Sequence, residues 1–287
     1  GQVVVHTTDT THYEIDGSRY TGAAGLAALA AEPANTITVA FGTLATGDFS
    51  FTARRVFAGS SVESNAIDRV RGVVTARSGN TLTVRGVTLD RRDGGFEFMR
   101  GNVTVDIAAT TRVTEEGTTG AFGIGDISVG QRIWATGTAT IDNTPSTATL
   151  DATAGRVRLE FTPMWGLVTG TVGNPLTLDL RAIDGRSPSI FNFAGTGASP
   201  TTDASASAYL VDTNTLDLSA LTPGAPARAF GFPVPFGTAA GTDFTAQTLV
   251  SYSQVQNQLL LNWSGGGSLA AFPGLMSNSA ALDLSLT

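Results

Sequence analysis

The chain contains no lysine and no cysteine, so all 17 of its basic residues are arginines. The lack of lysine excludes mechanisms that use a lysine amine, such as Schiff-base formation. The lack of cysteine excludes disulfides, thiolate metal sites and a cysteine nucleophile. Charge of either sign is scarce, at 14% of residues, and the net charge is −7. Because phosphate backbones are normally bound by clustered positive charge, we expect no nucleic-acid partner.

Long apolar runs are also missing. No run approaches the roughly 18 residues that a membrane-spanning helix needs, so we expect no membrane span. What the chain does contain is 41% hydrophobic residues over 287 positions, enough for several folded domains with their own cores. Thr, Ser, Gly and Ala dominate the rest, a composition common in secreted β-rich proteins, which favours an extracellular or cell-surface location.

Alternation of apolar and polar residues predicts an all-β protein, because helical periodicity is almost absent. In the best-defined region, strands are predicted at residues 69–77, 81–89, 96–99, 102–107, 131–138 and 147–159. With the two short segments 96–99 and 102–107 counted together, three strands, an irregular or helical crossing and two further strands form the order of a five-stranded Greek-key barrel of the OB type. Further along, strands are predicted near residues 166–172, 176–183, 208–212, 227–232 and 244–251. The prolines of residues 223–235 predict an edge or a connection there.

An internal repeat organises the chain. Residues 71–84 recur as residues 165–178, with seven of fourteen positions identical. Residues 1–17 match residues 101–117, so the chain is expected to begin inside one copy. Near the other end, Asn257 and Leu259 stand where Asn80 and Leu82 stand, so it is expected to stop inside another copy. These matches predict three tandem barrels, one of them split between the two ends.

The predicted domains follow from the repeat. Residues 1–60 form the C-terminal part of the split barrel, residues 61–160 and 161–252 form complete barrels, and residues 253–287 form the N-terminal part of the split barrel. In the first copy, the Ala-rich residues 21–31 predict a helix that Thr21 caps and Pro33 stops. Strands at residues 36–41 and 49–57 follow it.

Four short motifs carry a resemblance to a known family. They are Val70-Arg-Gly-Val-Val-Thr-Ala76, Gly79-Asn-Thr-Leu-Thr-Val84, Val129-Gly-Gln-Arg-Ile-Trp-Ala-Thr-Gly137 and Ala152-Thr-Ala-Gly-Arg-Val-Arg-Leu159. At these motifs the chain resembles an uncharacterised family of OB-like β-barrel repeats in exported bacterial proteins, many of them lipoproteins. The resemblance implies a bacterial-type exported protein and transfers no catalytic residue, so we expect no enzyme activity.

A split barrel leaves strand edges and apolar side chains without partners, and no lysine is present to protect such edges. We therefore predict that the two ends of the chain form a subunit interface. Its predicted residues are Val3, Val5, Leu259, Leu261, Trp263, Leu282, Leu284 and Leu286. Completion by a neighbouring copy would be strand complementation, head to tail, and would produce an extracellular filament. Completion within one chain would instead give a monomeric surface binding module, for which a polysaccharide is a candidate ligand.

Candidate metal ligands are few, and no cofactor is predicted. His6, His12, Glu14 and Asp16 share one parity and would face the same side of an extended strand. His6 and His12 are then about 20 Å apart at roughly 3.3 Å per residue, so a solvated strand face is the favoured interpretation. Calcium remains a candidate ligand of turn residues, although turn chemistry alone accounts for them. These residues are Asp90, Asp93, Asp184, Asp212 and Asn214.

The remaining candidates are aromatic and charged side chains. Trp134, Trp165 and Trp263 could stack on sugars, but core filling is favoured. The pairs Arg54-Arg55 and Arg91-Arg92 are interpreted as solvated faces or inter-subunit ion pairs. Glu115-Glu116 is interpreted as part of a solvated loop, because adjacent residues on a strand face opposite ways.

Overall fold

The structure is a computed structural model, and it divides the chain into two compact units, Gly1–Ser253 and Gln254–Thr287. The residues that it describes are 4–45, 50–62, 67–92, 94–142, 147–253, 274–276 and 279–281. The first unit contains a five-stranded N-terminal sheet and two closed five-stranded barrels. The predicted predominance of β-structure is confirmed.

The N-terminal sheet has one strand at its centre. Its elements are β1 (Val5–His6), β2 (His12–Ile15), β3 (Ser18–Thr21), α1 (Gly22–Ala30), β4 (Thr38–Leu44) and β5 (Phe51–Ala58). Strand β5 pairs in parallel with β1 and β2 along one side, and antiparallel with β4 along the other. Tyr13, Ile15 and Val56 lie in its small core, which the partly buried Leu29 of α1 joins.

Helix α1 confirms the predicted helix but not its predicted cap. Thr21 occupies the position before the helix, yet its side chain makes no capping hydrogen bond. The helix packs closely on the sheet at Gly25, where an added Cβ would lie 2.0 Å from the Tyr13 ring. Only glycine fits there, which explains a residue of low helix propensity inside the helix.

The first closed barrel, which we call barrel two because the N-terminal sheet precedes it, has seven strands, and five of them close a ring. The second closed barrel is called barrel three. The strands of barrel two are β6 (Asp68–Ser78), β7 (Thr81–Asp90), β8 (Phe96–Met99), β9 (Val103–Asp106), β10 (Arg112–Glu115), β11 (Arg132–Asp142) and β12 (Thr147–Glu160). The hydrogen-bonded ring runs β6, β7, β9, β12, β11 and back to β6. Alternate residues fill its core, as the fully buried Leu82, Val84 and Leu150 illustrate.

Barrel three repeats this ring with five strands. They are β13 (Thr162–Thr169), β14 (Leu176–Ile183), β15 (Tyr209–Asp212), β16 (Pro226–Pro233) and β17 (Phe244–Ser251). The ring runs β13, β14, β15, β17, β16 and back to β13. The prediction that the prolines of residues 223–235 mark an edge or a connection is wrong, because β16 pairs on both sides. Pro226 and Pro233 stand at the two ends of that strand, where a missing N–H costs least.

Side chains are shared across the boundary between the two barrels. Val73 and Val129 are buried in the core of barrel three, although both precede its first strand. Phe232 of β16 is buried in the core of barrel two. The Arg77 guanidinium donates to the carbonyl of Ile124 at 2.7 Å and lies 4.7 Å from the centre of the Phe236 ring.

The second unit contains a short antiparallel pair, β18 (Gly274–Met276) and β19 (Ser279–Ala281). Among the described residues, no helix is long and apolar enough to cross a membrane.

Candidate functional site

The N-terminal sheet reproduces part of barrel two strand for strand. Strands β1 and β2 pair in parallel with β5 just as β9 and β10 pair in parallel with β12. Strand β4 pairs antiparallel with β5, as β11 does with β12. A side-chain bond repeats too: the Thr11 hydroxyl donates to the Ala53 carbonyl at 2.8 Å, and the Thr111 hydroxyl donates to the Ala152 carbonyl at 2.8 Å.

A glycine at a shift in strand register marks the same place in all three copies. The shift is a one-residue β-bulge in the pairing of β4 with β5 and of β16 with β17, and a longer irregularity in the pairing of β11 with β12. An added Cβ on Gly42, Gly137 or Gly231 would lie 2.0, 2.1 or 2.0 Å from a carbonyl oxygen of the partner strand. The sheet backbone at these points is therefore closed to any larger residue, and the repeat extends to the N-terminal sheet.

The N-terminal sheet differs from barrel two at its edges. In barrel two, β9 also pairs with β7 and β11 also pairs with β6, which closes the ring. In the described part of the chain, no strand pairs with the corresponding edges of β1 and β4. We call these two strand edges, with the apolar side chains beside them, the unpaired rim. This rim is the candidate functional site.

Apolar side chains at the rim are exposed where their counterparts are buried. Val5 is 46% exposed, whereas Val105 at the same place in β9 is fully buried. Leu44, two residues after the bulge glycine Gly42, is 51% exposed, whereas Ala139, two residues after Gly137, is 6% exposed. The rim thus presents main-chain hydrogen-bonding groups together with core-type side chains.

Of the predicted interface residues, Val5 lies at the rim. The others fall outside the described residues: Val3, Leu259, Leu261, Trp263, Leu282, Leu284 and Leu286. Leu44 and the edge of β4 complete the rim, and we did not predict them from the sequence. Apolar residues occur along β4 as they do along an ordinary core strand, so the sequence alone does not show which of its edges is paired.

Buried charges hold the N-terminal sheet against barrel two. The carboxylates of Asp16 and Glu32 are 6% and 7% exposed, and both accept from the Arg156 guanidinium, at 2.7 and 3.3 Å. Arg112 forms ion pairs with the same two carboxylates. The other oxygen of Asp16 accepts from the Ser60 amide at 2.6 Å. This cluster fixes the orientation of the sheet, and hence of its rim, on barrel two.

The candidate metal ligands are not brought together. Asp16 belongs to the ion-pair cluster, and His12 lies on the outer face of β2, where its Nδ1 is 3.4 Å from the Thr21 hydroxyl. No group of three or more histidine, aspartate or glutamate side chains arranged for a metal ion occurs among the described residues. Of the turn residues considered for calcium, Asp184 forms an ion pair with Arg186, and the Asp212 carboxylate accepts from the Asn214 amide. Asp93 lies outside the described residues.

Two interpretations of charged residues are wrong. The solvated-face interpretation is wrong for Arg91, whose side chain is 19% exposed and lies 3.5 Å from the fully buried carboxylate of Asp68. The side chain of Arg92 is 53% exposed and lies 3.9 Å from the same carboxylate. Glu115 is not in a solvated loop, because it ends β10 and is partly buried. Burial, and then the negative charge of Asp126, raise the pKa of Glu115 to about 7.

An open cleft lies between the outer face of the N-terminal sheet and barrel two. Its volume is about 1160 Å³, and Phe41, Phe57 and Trp134 line it together with three arginines. The expectation of core filling is wrong for Trp134, which is outside the core of barrel two and has the Arg158 guanidinium 4.2 Å from its ring centre. Trp165 contacts the Tyr252 ring edge to face. Trp263 lies outside the described residues.

Comparison of the chain with known protein families, curated proteins and solved structures gives no match.

Proposed function

We propose that the chain is the structural subunit of an extracellular filament, in which the C-terminal segment of one copy completes the N-terminal sheet of the next. The single observation that carries this proposal is the unpaired rim. Two strand edges and half-exposed apolar side chains lie together, in a chain without lysine to protect them.

The strand order supports the proposal that the N-terminal sheet lacks two strands of a five-stranded ring. In barrels two and three, the first strand of the ring pairs with the second and the fourth, and the third pairs in parallel with the fifth. We assign this order to the OB-type Greek key. The N-terminal sheet supplies the third, fourth and fifth strands of such a ring, so a partner has to supply the first and second.

The sequence favours one donor for those strands. Leu259 corresponds in the repeat to Leu82, and in barrel two Leu82 is the residue that pairs with Val105. Since Val105 corresponds to Val5, we propose that Leu259 of a second copy pairs with Val5. The contact would bury the exposed parts of the Val5 and Leu44 side chains, and each burial would stabilise the contact by about 1 kcal/mol. The contact would also add main-chain hydrogen bonds. A contact of this kind is head to tail and does not close by itself.

The proposal is tested by negative-stain microscopy and size-exclusion chromatography of the purified chain. We expect fibres or a ladder of oligomers, and we expect Leu44→Asp to abolish them because it places a charge in the new core. Thr43→Asp is the matched control, since Thr43 is the neighbouring exposed residue of β4 and faces the other side.

A sharp monomer peak for the unmodified chain at high concentration would contradict the filament. It would favour closure within one chain, which corresponds to the monomeric surface module. Loss of assembly in both variants would also contradict the proposal, because it would show that the face of β4 does not matter.

A further inference from the structure

The cleft beside the N-terminal sheet has the composition of a ligand site. Its walls come from β2, β4 and β5 on one side and from β6 and β11 on the other. The volume of about 1160 Å³ exceeds the roughly 300–1,000 Å³ of typical small-molecule sites, which suits a segment of a chain molecule more than a single small one. All of the lining residues belong to one copy of the protein.

The β-bulge at Gly42 directs two consecutive arginines into this cleft. Phe41 pairs with Arg55 and Gly42 pairs with Ala53, which leaves Arg54 as the extra residue of β5. On a regular strand, neighbours face opposite sides. The extra residue cancels this alternation, and Arg54 and Arg55 both line the cleft.

The two guanidiniums are available to a ligand. Both side chains are exposed, and neither makes an ion pair or a side-chain hydrogen bond with any described residue. Arg71 adds a third guanidinium, which bonds to Glu160 at 2.9 Å. The carboxylate that lines the cleft is that of Glu14, which lies 3.5 Å from Arg19. The cleft is therefore positive in a chain whose net charge is −7.

Flat aromatic surfaces accompany these charges. Phe41 is 58% exposed and meets Phe57 edge to face, with 5.8 Å between the ring centres. Trp134 contributes from barrel two, where the Arg158 guanidinium fixes its ring. Aromatic rings offer apolar surface to the C–H faces of sugar rings, and guanidiniums bind carboxylates with paired hydrogen bonds.

We propose that this cleft binds an acidic polysaccharide, a sugar chain that carries carboxylates. Such a chain presents alternate apolar faces and carboxylates along its length, which matches aromatic rings flanked by guanidiniums. Single-stranded nucleic acid also stacks on aromatic rings, but its binding sites normally extend a positive groove along the backbone, whereas this cleft has three arginines, one of them bonded to Glu160.

The test is calorimetric titration of the full chain with oligogalacturonate, with neutral dextran and an oligothymidylate as comparison ligands. We expect oligogalacturonate to bind, with an affinity that falls as salt screens the charges. The double variant R54Q/R55Q should weaken binding about tenfold or more, the effect expected when charge-assisted hydrogen bonds are lost.

The matched control is R181Q/R228Q, which removes the same charge from barrel three and should leave oligogalacturonate binding unchanged. A Phe41→Ala variant tests the aromatic wall separately and should also weaken binding. The proposal is overturned if the unmodified chain does not bind oligogalacturonate, if both double variants lose affinity equally, or if oligothymidylate binds more tightly.

Discussion

Val5 and Val105 occupy the same position in two copies of one repeat, yet Val105 is fully buried and Val5 is 46% exposed. Each pairs in parallel with the last strand of its copy, Val5 with Phe51 and Val105 with Leu150. The difference lies on the other side, where Val105 pairs with Leu82 of β7 and no described strand pairs with Val5. Among the described residues, the same local fold is thus paired on both sides in one copy and on one side in the other.

The glycines at the register shifts, Gly42, Gly137 and Gly231, have no room for a side chain, so substituting them should lower the stability of the fold. We expect Gly137→Ala to lower the free energy of unfolding by about 1–3 kcal/mol, because the new Cβ would meet the Asp151 carbonyl oxygen and force the strands apart. Gly125→Ala is the control, since an added Cβ there meets nothing within 4 Å. Thermal unfolding measures both variants. Equal melting temperatures would show that the register shift tolerates a side chain.

The ion-pair cluster predicts that Asp16 holds the N-terminal sheet in place. Asp16→Asn keeps an acceptor for the Ser60 amide and tolerates the left-handed backbone at φ 48°, but it leaves Arg156 without its closest carboxylate. We expect the free energy of unfolding to fall by about 1–3 kcal/mol and the amides of β2 and β5 to exchange their hydrogens faster.

The control for this variant is Asp179→Asn. It breaks the solvent-exposed pair with Arg181, which is expected to contribute less than about 1 kcal/mol. Equal losses of unfolding free energy in Asp16→Asn and Asp179→Asn would show that the buried cluster does not position the sheet.

The raised pKa of Glu115 predicts a pH dependence of stability. Its carboxyl group holds a proton in the folded state up to about pH 7, whereas it loses the proton near its ordinary pKa of 4.5 when unfolded. The folded state therefore binds more protons between these values, so stability should fall as the pH rises from about 4.5 to 7.

Substitution checks this assignment. Glu115→Gln removes the titrating group and should flatten that part of the stability profile. Asp126→Asn removes the charge that contributes to the shift, so it should lower the pKa of Glu115 part of the way towards its usual value. An NMR titration of the Glu115 carboxyl carbon would read the change directly, and an unchanged profile in Glu115→Gln would assign the pH dependence elsewhere.

The bounds of several strands could be predicted from the sequence because apolar and polar residues alternate over most of their length. Strands β8, β14 and β17 have the predicted bounds. The interpretation of residues 6–16 as one strand face does not hold, because the structure divides them between β1 and β2, and β3 is not among the predicted strands. Strand parity could have placed Trp134 on the outer face, since its neighbours Ile133 and Ala135 are buried in the core.

The cleft could not be predicted, because a bulge is a property of two paired strands. The sequence does not show that Arg54 and Arg55 face the same side of the sheet. Their shared orientation follows from the pairing of β4 with β5, which leaves Arg54 as an extra residue. The exposure of Val5 is hidden for a similar reason. Its sequence context matches that of Val105, and the two differ in what lies beside them.

The most direct test of the filament is a disulfide between two engineered cysteines, because the chain has none of its own. In the Val5→Cys, Leu259→Cys double variant, the proposed pairing brings the two positions together as directly paired residues, about 4.5–5.5 Å apart between Cα atoms, within the range a disulfide spans. On oxidation we predict a ladder of covalent oligomers in non-reducing electrophoresis that collapses to monomer on reduction, and no ladder from either single variant beyond a dimer. A monomer whose two cysteines are joined to each other, or a double variant that stays reduced, would contradict the account.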